Sequence, residues 1–527
     1  MLDPVALEIA RNRLESIAEE VGMALIRTSY SPNIKDRRDC SAGIYRADGE
    51  LISQAEHIPL HLGVMPTLVR HAVQTYGADR LVPGDILITN NPYLGGSHLP
   101  DTCLITPVFD GGRIVALIAN MAHHVDIGGI TPGSMATHAT EIFQEGVRIP
   151  PVRLFAAGEE QEVFAVLMTN VRTPEKTRGD LLAQVAANRL GERRVTELLA
   201  EWGVERFDVA TRELIDYAER RTRAALAALP DGEGDFVDHL DHDGVRPARL
   251  EISARVVKRG DEITVDLTAT ADAAEGAVNC SYAVAESCVA YVVKMLADPT
   301  LPSNAGLMRP VRVVTRPGSL VDARFPSPVA HGNIQTAQRI VDAVLGACER
   351  FLPGRVPAAS CGSMSIVTIG GIDPRTGEYF SYVETYGGGQ GALPTQDGAD
   401  ATHTHMTNTR NTPSEVIERE YPLRVERYEI ARGTGGHGRF RGGDGLVREL
   451  TLTRGTATVV AGTARVDAGP WGLEGGGPGD PARVWTSRDG DTVELPAMSR
   501  LDVVPGQRVG IRTAGGGAYG PSEEDAG

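Results

Sequence analysis

Residues 90–146 constrain the fold of this 527-residue chain more than any other stretch. They open on Asn90-Asn91-Pro92-Tyr93-Leu94-Gly95-Gly96-Ser97-His98-Leu99-Pro100-Asp101. They continue through Asn120-Met121-Ala122-His123-His124-Val125-Asp126-Ile127-Gly128-Gly129 and close on Gln144-Glu145-Gly146. Between the two His/Asp clusters, an apolar run from Leu104 to Phe109 reaches a turn at Asp110-Gly111-Gly112, and a second run from Ile114 to Ile118 leads back. That pattern predicts two antiparallel strands. Pro107 has no N–H to give to a neighbour and points to an edge strand. A hairpin returns its ends to one place, so His98, Asp101 and His123 can share one coordination sphere. Two imidazoles and a carboxylate with open positions suit a divalent ion that polarises a substrate oxygen. The same residue types also serve in turns, where Asp and Gly are favoured and His bonds the backbone. Spacing alone leaves both readings open.

Around this stretch the pattern predicts an α+β fold, multi-domain, with mixed sheets and packed helices. Asp3-Pro4 caps a long amphipathic helix. A hairpin turns at Asp48-Gly49, a helix spans 64–76, and a strand at 86–89 delivers the chain to the ligand-rich segment. His57 and His61 flank Pro59, which interrupts helical geometry between them; a structural or substrate-lining role follows. A helical region runs from Asp180 to about residue 228 and contains Gln184, Asn188 and Arg189. Pro230-Asp231-Gly232-Glu233-Gly234 breaks it. Strands at 250–257 and 262–267 and a helix at 283–296 come next. Gly332-Asn333 then opens a helix to about 351, either as a plain cap or as an anion-holding start. The last third is glycine-dense and β-rich. Its clusters at 387–391 and 435–445 permit close approach by a ligand or another chain, and an association surface is expected there. Asp397, Asp400, His403, His405 and Asn408 form a further polar group, either solvated loop or site lining. The expected domains are 1–232, 233–352 and 353–527.

Net charge of −17 argues against nucleic acid or an anionic membrane as the main partner. The six cysteines, Cys40, Cys103, Cys280, Cys288, Cys348 and Cys361, form no C-x-x-C pair, which suits reduced thiols. No apolar stretch reaches membrane-spanning length. The first residues lack a signal-peptide pattern, so a cytoplasmic location is expected. Residues 521–527 are expected to be disordered. G-x-x-x-x-G-K-[ST] is absent, so a nucleotide site of that kind is not expected in this chain.

Several motifs in consistent order resemble the hydantoinase B/oxoprolinase family. They are Asn91-Pro92-Tyr93 with Gly95-Gly96, His98-Leu99-Pro100-Asp101, His123-His124-Val125-Asp126-Ile127-Gly128-Gly129 and Gln144-Glu145-Gly146. Further on stand Gly387-Gly388-Gly389-Gln390-Gly391-Ala392, Asn411-Thr412-Pro413-Ser414-Glu415, Tyr421-Pro422 and Arg441-Gly442-Gly443-Asp444-Gly445. The resemblance implies a B-type subunit of an ATP-dependent cyclic amide hydrolase, of the N-methylhydantoinase or 5-oxoprolinase kind. It would act in a hetero-oligomer with an A-type subunit that binds ATP. The family's relation to acetone and acetophenone carboxylases keeps a carboxylase subunit open, and a scaffold for the A-type subunit is the non-catalytic alternative. By similarity to the metal-bearing carboxylase subunits, the ligands map to His98, Asp101 and His123 around a divalent ion, with Zn, Mn and Fe not distinguished. His124 and Asp126 would orient those ligands. Glu145 is the implied general base, with Glu141 as its substitute.

Overall fold

The structure is a computed structural model that describes residues 3–55 and 57–522; of the tail expected to be disordered, residues 523–527 lie outside the described residues. Helices and four sheets give the α+β architecture expected from the sequence. The largest sheet is antiparallel and has seven strands. Its order is Leu51–Gln54, Cys40–Arg46, Arg113–His123, Asp101–Asp110, Ile86–Thr89, Val152–Ala156, Glu159–Glu160. A four-stranded sheet spans residues 232–314, and its strands Glu262–Asp266 and Val311–Val314 run parallel. The last third supplies a four-stranded and a five-stranded antiparallel sheet.

Strand periodicity makes the seven-stranded sheet two-faced. On strand Arg113–His123, Ala116, Ile118 and Ala122 face a core shared with helices Pro4–Thr28 and Pro174–Trp202. Leu117, Ala119 and Met121 face the opposite way, into a cluster that also takes residues from helices His61–Tyr76, Tyr282–Ala297 and Ala337–Glu349. That second cluster extends from Tyr45 to Met498, so all three parts of the chain pack around it. Helix Pro4–Thr28 forms as its sequence dictates. The Asp3 carboxylate accepts from the N–H groups of Val5 and Ala6 at 3.0 and 2.9 Å, and Leu14, Val21 and Leu25 fall on its buried face.

Three details depart from expectation. Strand Asp101–Asp110 is an interior strand despite Pro107. Its neighbour Ile86–Thr89 pairs only as far as Ile105, so Pro107 lies past the end of that pairing and withholds no ladder bond there. The helical region after Asp180 is two helices, Pro174–Trp202 and Val204–Ala227, parted at Gly203 with φ 76°. The glycine clusters, expected to form an association surface, pack on one another within the chain. Gly443 N–H donates to Gln390 O, Gly516 N–H to Gly443 O, and Gly436 N–H to Gly516 O, at 2.8 to 2.9 Å. Among the described residues no helix is long and apolar enough to cross a membrane, and the six cysteines are buried and unpaired.

A Cβ on Gly389 would sit 2.0 Å from Gly443 O and 2.2 Å from Gly516 N, both backbone atoms. Gly389→Ala is therefore expected to cost about 3 kcal/mol or more, at or beyond the upper end of ordinary overpacking. Thermal unfolding measures this, and an unchanged midpoint would contradict the packing described.

Candidate metal centre

The sheet register places the site. Asp101, the first residue of its strand, is the direct cross-strand partner of His123, the last residue of the adjoining strand. His123 continues the parity of Leu117, Ala119 and Met121, and Asp101 that of Cys103 and Ile105, so both point to the large core. His98 joins them from the preceding turn, in which Asp101 N–H donates to His98 O at 3.2 Å. All three are buried, and one ligand-capable atom from each lies within 4.8 Å of the others.

Each side chain is held by a second group. His98 Nδ1–H donates to Ala330 O at 3.0 Å, which turns Nε2 toward Asp101 Oδ2 at 3.3 Å. Burial depresses the His98 pKa, but the Asp101 charge, their hydrogen bond and the Ala330 carbonyl outweigh it, so the net shift is upward. Asp101 takes a hydrogen bond from the Ser97 hydroxyl and another from Asn333 Nδ2 at 3.2 Å, and its Oδ1 is 3.8 Å from His61 Nε2. Burial opposes ionisation of Asp101, yet the neighbouring imidazoles of His98 and His61 hold its carboxyl well below the usual carboxylate range. His123 Nδ1 lies 3.1 Å from Asn33 Nδ2, and the same amide donates to His123 O at 2.6 Å. Burial pushes the His123 pKa down to about 4, so the ring is neutral. A cation entering the triad would displace the proton shared by His98 and Asp101, as metal binding generally does.

The triad opens on a cavity of about 40 Å³ also lined by Arg37, Asp39, His61, Asn333, Thr385 and Thr409. Those residues come from all three parts of the chain. Two carry warnings that were readable in sequence: His61 as a substrate-lining candidate, and Asn333 as part of a special helix start. The structure puts Asn333 in a π-helical turn, Gly332–Thr336, a rare geometry that often accompanies functional sites. Asn33 and the Ala330 carbonyl gave no sequence signal, since nothing local ties them to His123 and His98, whereas Ser97 stands within the motif, four residues before Asp101.

The remaining expected site residues stand apart from the triad. His124 faces the other side of the sheet, where its Nε2–H donates to Gln184 Oε1 at 2.9 Å. Asp126 accepts four hydrogen bonds, from the backbone of Gly128, Gly133 and Arg172 and from the Arg172 guanidinium, at 3.0 to 3.2 Å. It clasps the 126–134 loop. Glu145 is buried, and its Oε1 accepts from the N–H groups of Val329 and Ala330 at 2.7 and 2.8 Å. Burial pushes its pKa up to about 8 against the opposing effect of those two N–H groups. It does not line the cavity. Glu141 is exposed. The polar group around Asp397 is a set of tertiary clasps: Asp397 accepts from the Arg441 backbone and Asp400 from its side chain. His405 bonds Asp342 at 3.2 Å inside a buried network in which Arg465 bridges Asp342 and Asp238 at 2.8 Å each.

The sequence model of the family described as Hydantoinase B/oxoprolinase matches residues 3–522. A Pseudomonas protein named as the B-type chain of a D-/L-hydantoinase is 31% identical, over 98% of this chain and 90% of the relative. 5-oxoprolinase 1 of Arabidopsis thaliana is 34% identical over 98% of this chain, which spans only 42% of that longer protein. Among solved structures, the ATP-dependent caprolactamase from Pseudomonas jessenii superposes with a TM-score of 0.92 at 31% identity, covering 99% of this chain and 92% of the other. An acetone carboxylase in a nucleotide-free state shares the fold, with a TM-score of 0.89 at 17% identity over 98% of this chain and 76% of the other.

Burial also sets an acid limit on the metal-free protein. It pushes the pKa values of His331 and His403 down to about 3, both below the ordinary histidine value. Between about pH 3 and 6.5 the unfolded chain binds more protons at these two rings than the native one, so stability rises with pH across that window. The urea midpoint is expected to be lower at pH 5 than at pH 7. A midpoint equal or higher at pH 5 would contradict the buried neutral state of these rings.

Proposed function

The chain belongs to the hydantoinase B/oxoprolinase family, and we propose that it is the B-type subunit of an ATP-dependent cyclic amide hydrolase. It works with an A-type subunit that binds ATP and phosphorylates the amide carbonyl oxygen, making the ring carbon open to attack. This chain receives the activated ring and directs water to that carbon; the ring C–N bond then breaks as the nitrogen takes a proton, and a second water releases phosphate from the resulting acyl phosphate to leave a carboxylate. The observation that carries the reading is the convergence of buried His98, Asp101 and His123 on one point beside a small cavity. These three would hold a divalent ion, and when bound it would supply positive charge to polarise a substrate oxygen or lower the pKa of water.

The donor set fits such an ion. Asp101 is anionic, His123 is neutral, and Nδ1–H of His98 is spent on a backbone carbonyl. Ser97, Asn333 and Asn33 keep the donors in place before substrate arrives, so little reorganisation is needed at the moment of reaction. Apolar Ile58, Leu60 and Met364 line the same cavity and limit it to a compact substrate and few waters. Delegation of ATP to a partner is supported by the missing phosphate-binding loop. A scaffold has no use for three converging buried donors, and the 31%-identical caprolactamase is an amide hydrolase by name. Both favour hydrolysis over a purely structural role.

His123→Ala is expected to lower the affinity for Mn2+ or Zn2+ more than about 100-fold, beyond the range of outer-sphere changes, while the fold survives. Elemental analysis with circular dichroism measures both, and native protein devoid of metal after growth with either ion would refute the site. Assayed alone with ATP and hydantoin, 5-oxoproline or caprolactam, the chain should show no ATP-dependent ring opening. Activity should emerge with the A-type partner. Robust turnover by the chain alone would refute the division of labour.

A further inference from the structure

Glu145 shares no contact with the triad, yet it is tied to it through one residue, Ala330. Its Oε1 accepts from the N–H groups of Val329 and Ala330 at 2.7 and 2.8 Å, and the carbonyl of Ala330 accepts Nδ1–H of His98 at 3.0 Å. Three residues further along the same segment, Asn333 donates to Asp101 at 3.2 Å. The segment is also docked by Tyr93 OH, which donates to Ser327 O at 2.6 Å, by Asn279 Nδ2, which donates to Pro328 O at 3.0 Å, and by His331 N–H, which donates to Ala277 O at 2.8 Å. Glu145 is itself fixed in place. The backbone of Gly129 lies so close that a Cβ there would be 2.5 Å from the Glu145 carbonyl carbon and oxygen.

We propose that Glu145 is a positioning residue for the metal centre: by gripping the Val329 and Ala330 peptides it fixes the carbonyl that sets the tautomer and orientation of His98. The proposal rests on the reading of His98, Asp101 and His123 as ligands. Once the proton shared with Asp101 has left, an imidazole that gives Nδ1–H to a fixed carbonyl presents its lone pair at Nε2, the nitrogen that faces Asp101. Losing the grip loosens the N–H groups of Val329 and Ala330, and with them the carbonyl that holds His98. A general base, by contrast, must reach the substrate, and Glu145 does not line the cavity.

The test is Mn2+ binding to the metal-free protein, followed by the electron paramagnetic resonance signal of free ion. Glu145→Ala is expected to weaken binding about 10- to 100-fold, the range for lost outer-sphere partners. Glu145→Gln retains an oxygen that accepts both N–H groups and should bind within about threefold of the native protein. Leu154→Ala, in the apolar cluster beside this segment, should lower thermal stability without changing affinity. Native affinity in Glu145→Ala, or equal weakening by Leu154→Ala, overturns the proposal. So does a loss in Glu145→Gln as large as in Glu145→Ala. If the alanine variant does not fold, Glu145→Leu removes the same acceptor while filling the volume. A second measurement needs no Glu145 variant. In native, metal-free protein, the 15N resonances of the His98 ring, identified by their loss in His98→Gln, should report a proton on Nδ1; a bare Nδ1 overturns the proposal. If native protein binds no Mn2+ or Zn2+, the ligand reading fails, and the Nδ1 proton still decides the contact from Ala330 to His98.

Discussion

The cross-strand pairing of Asp101 with His123 is the constraint on which the rest of the site depends. Side chains on a strand alternate faces, and directly opposed residues on an antiparallel pair point the same way. Once Met121 and Ala119 are committed to the large core, His123 is committed with them. A one-residue slip of either strand would turn its own member of the pair to the opposite face, where helix Pro174–Trp202 packs. The apolar pattern of these two strands therefore sets the register and the position of the chemistry together.

Burying a carboxylate and two imidazoles is costly unless each has partners. Here the partners come from far along the chain: Ala330 and Asn333 serve His98 and Asp101, and Asn33 serves His123. The back of the sheet is stiffened by a second polar group in which Asn120, Gln184 and Asn188 bond one another and the strand carbonyls of Thr102 and Leu104. His124 joins that group through Gln184. Adjacent histidines thus divide the work, one facing the cavity and the other anchoring a helix. On the far side, buried Arg465 holds Asp238 and Asp342 together, tying the central strands and helix to the last third that closes the cavity.

Much of this was legible in sequence where a local rule governed. The hairpin and its flanking clusters follow from a period of two, and the triad follows from a hairpin returning on itself. The Pro107 inference failed because an interior strand can outrun its neighbour, which is a matter of strand length rather than residue type. The glycine clusters were read as open for docking. Their free space is consumed by other glycines of the same chain, and contact between residues 389, 443 and 516 has no local trace. Asp126 shows the same limit, since its carboxylate belongs to a loop clasp completed by Arg172, 46 positions away. Ser97 apart, the groups that hold the triad lie 90 positions from His123 and 232 from His98 and Asp101. No spacing rule reaches that far.

The central claim is that one ion sits among these three residues, and anomalous X-ray scattering tests it most directly. Crystals of the native protein grown with Mn2+ and measured across the manganese edge should show a strong peak roughly 2.0–2.3 Å from donor atoms of His98, Asp101 and His123. An ordered protein with no peak there, or with its strongest peak bound to other residues, would contradict the account.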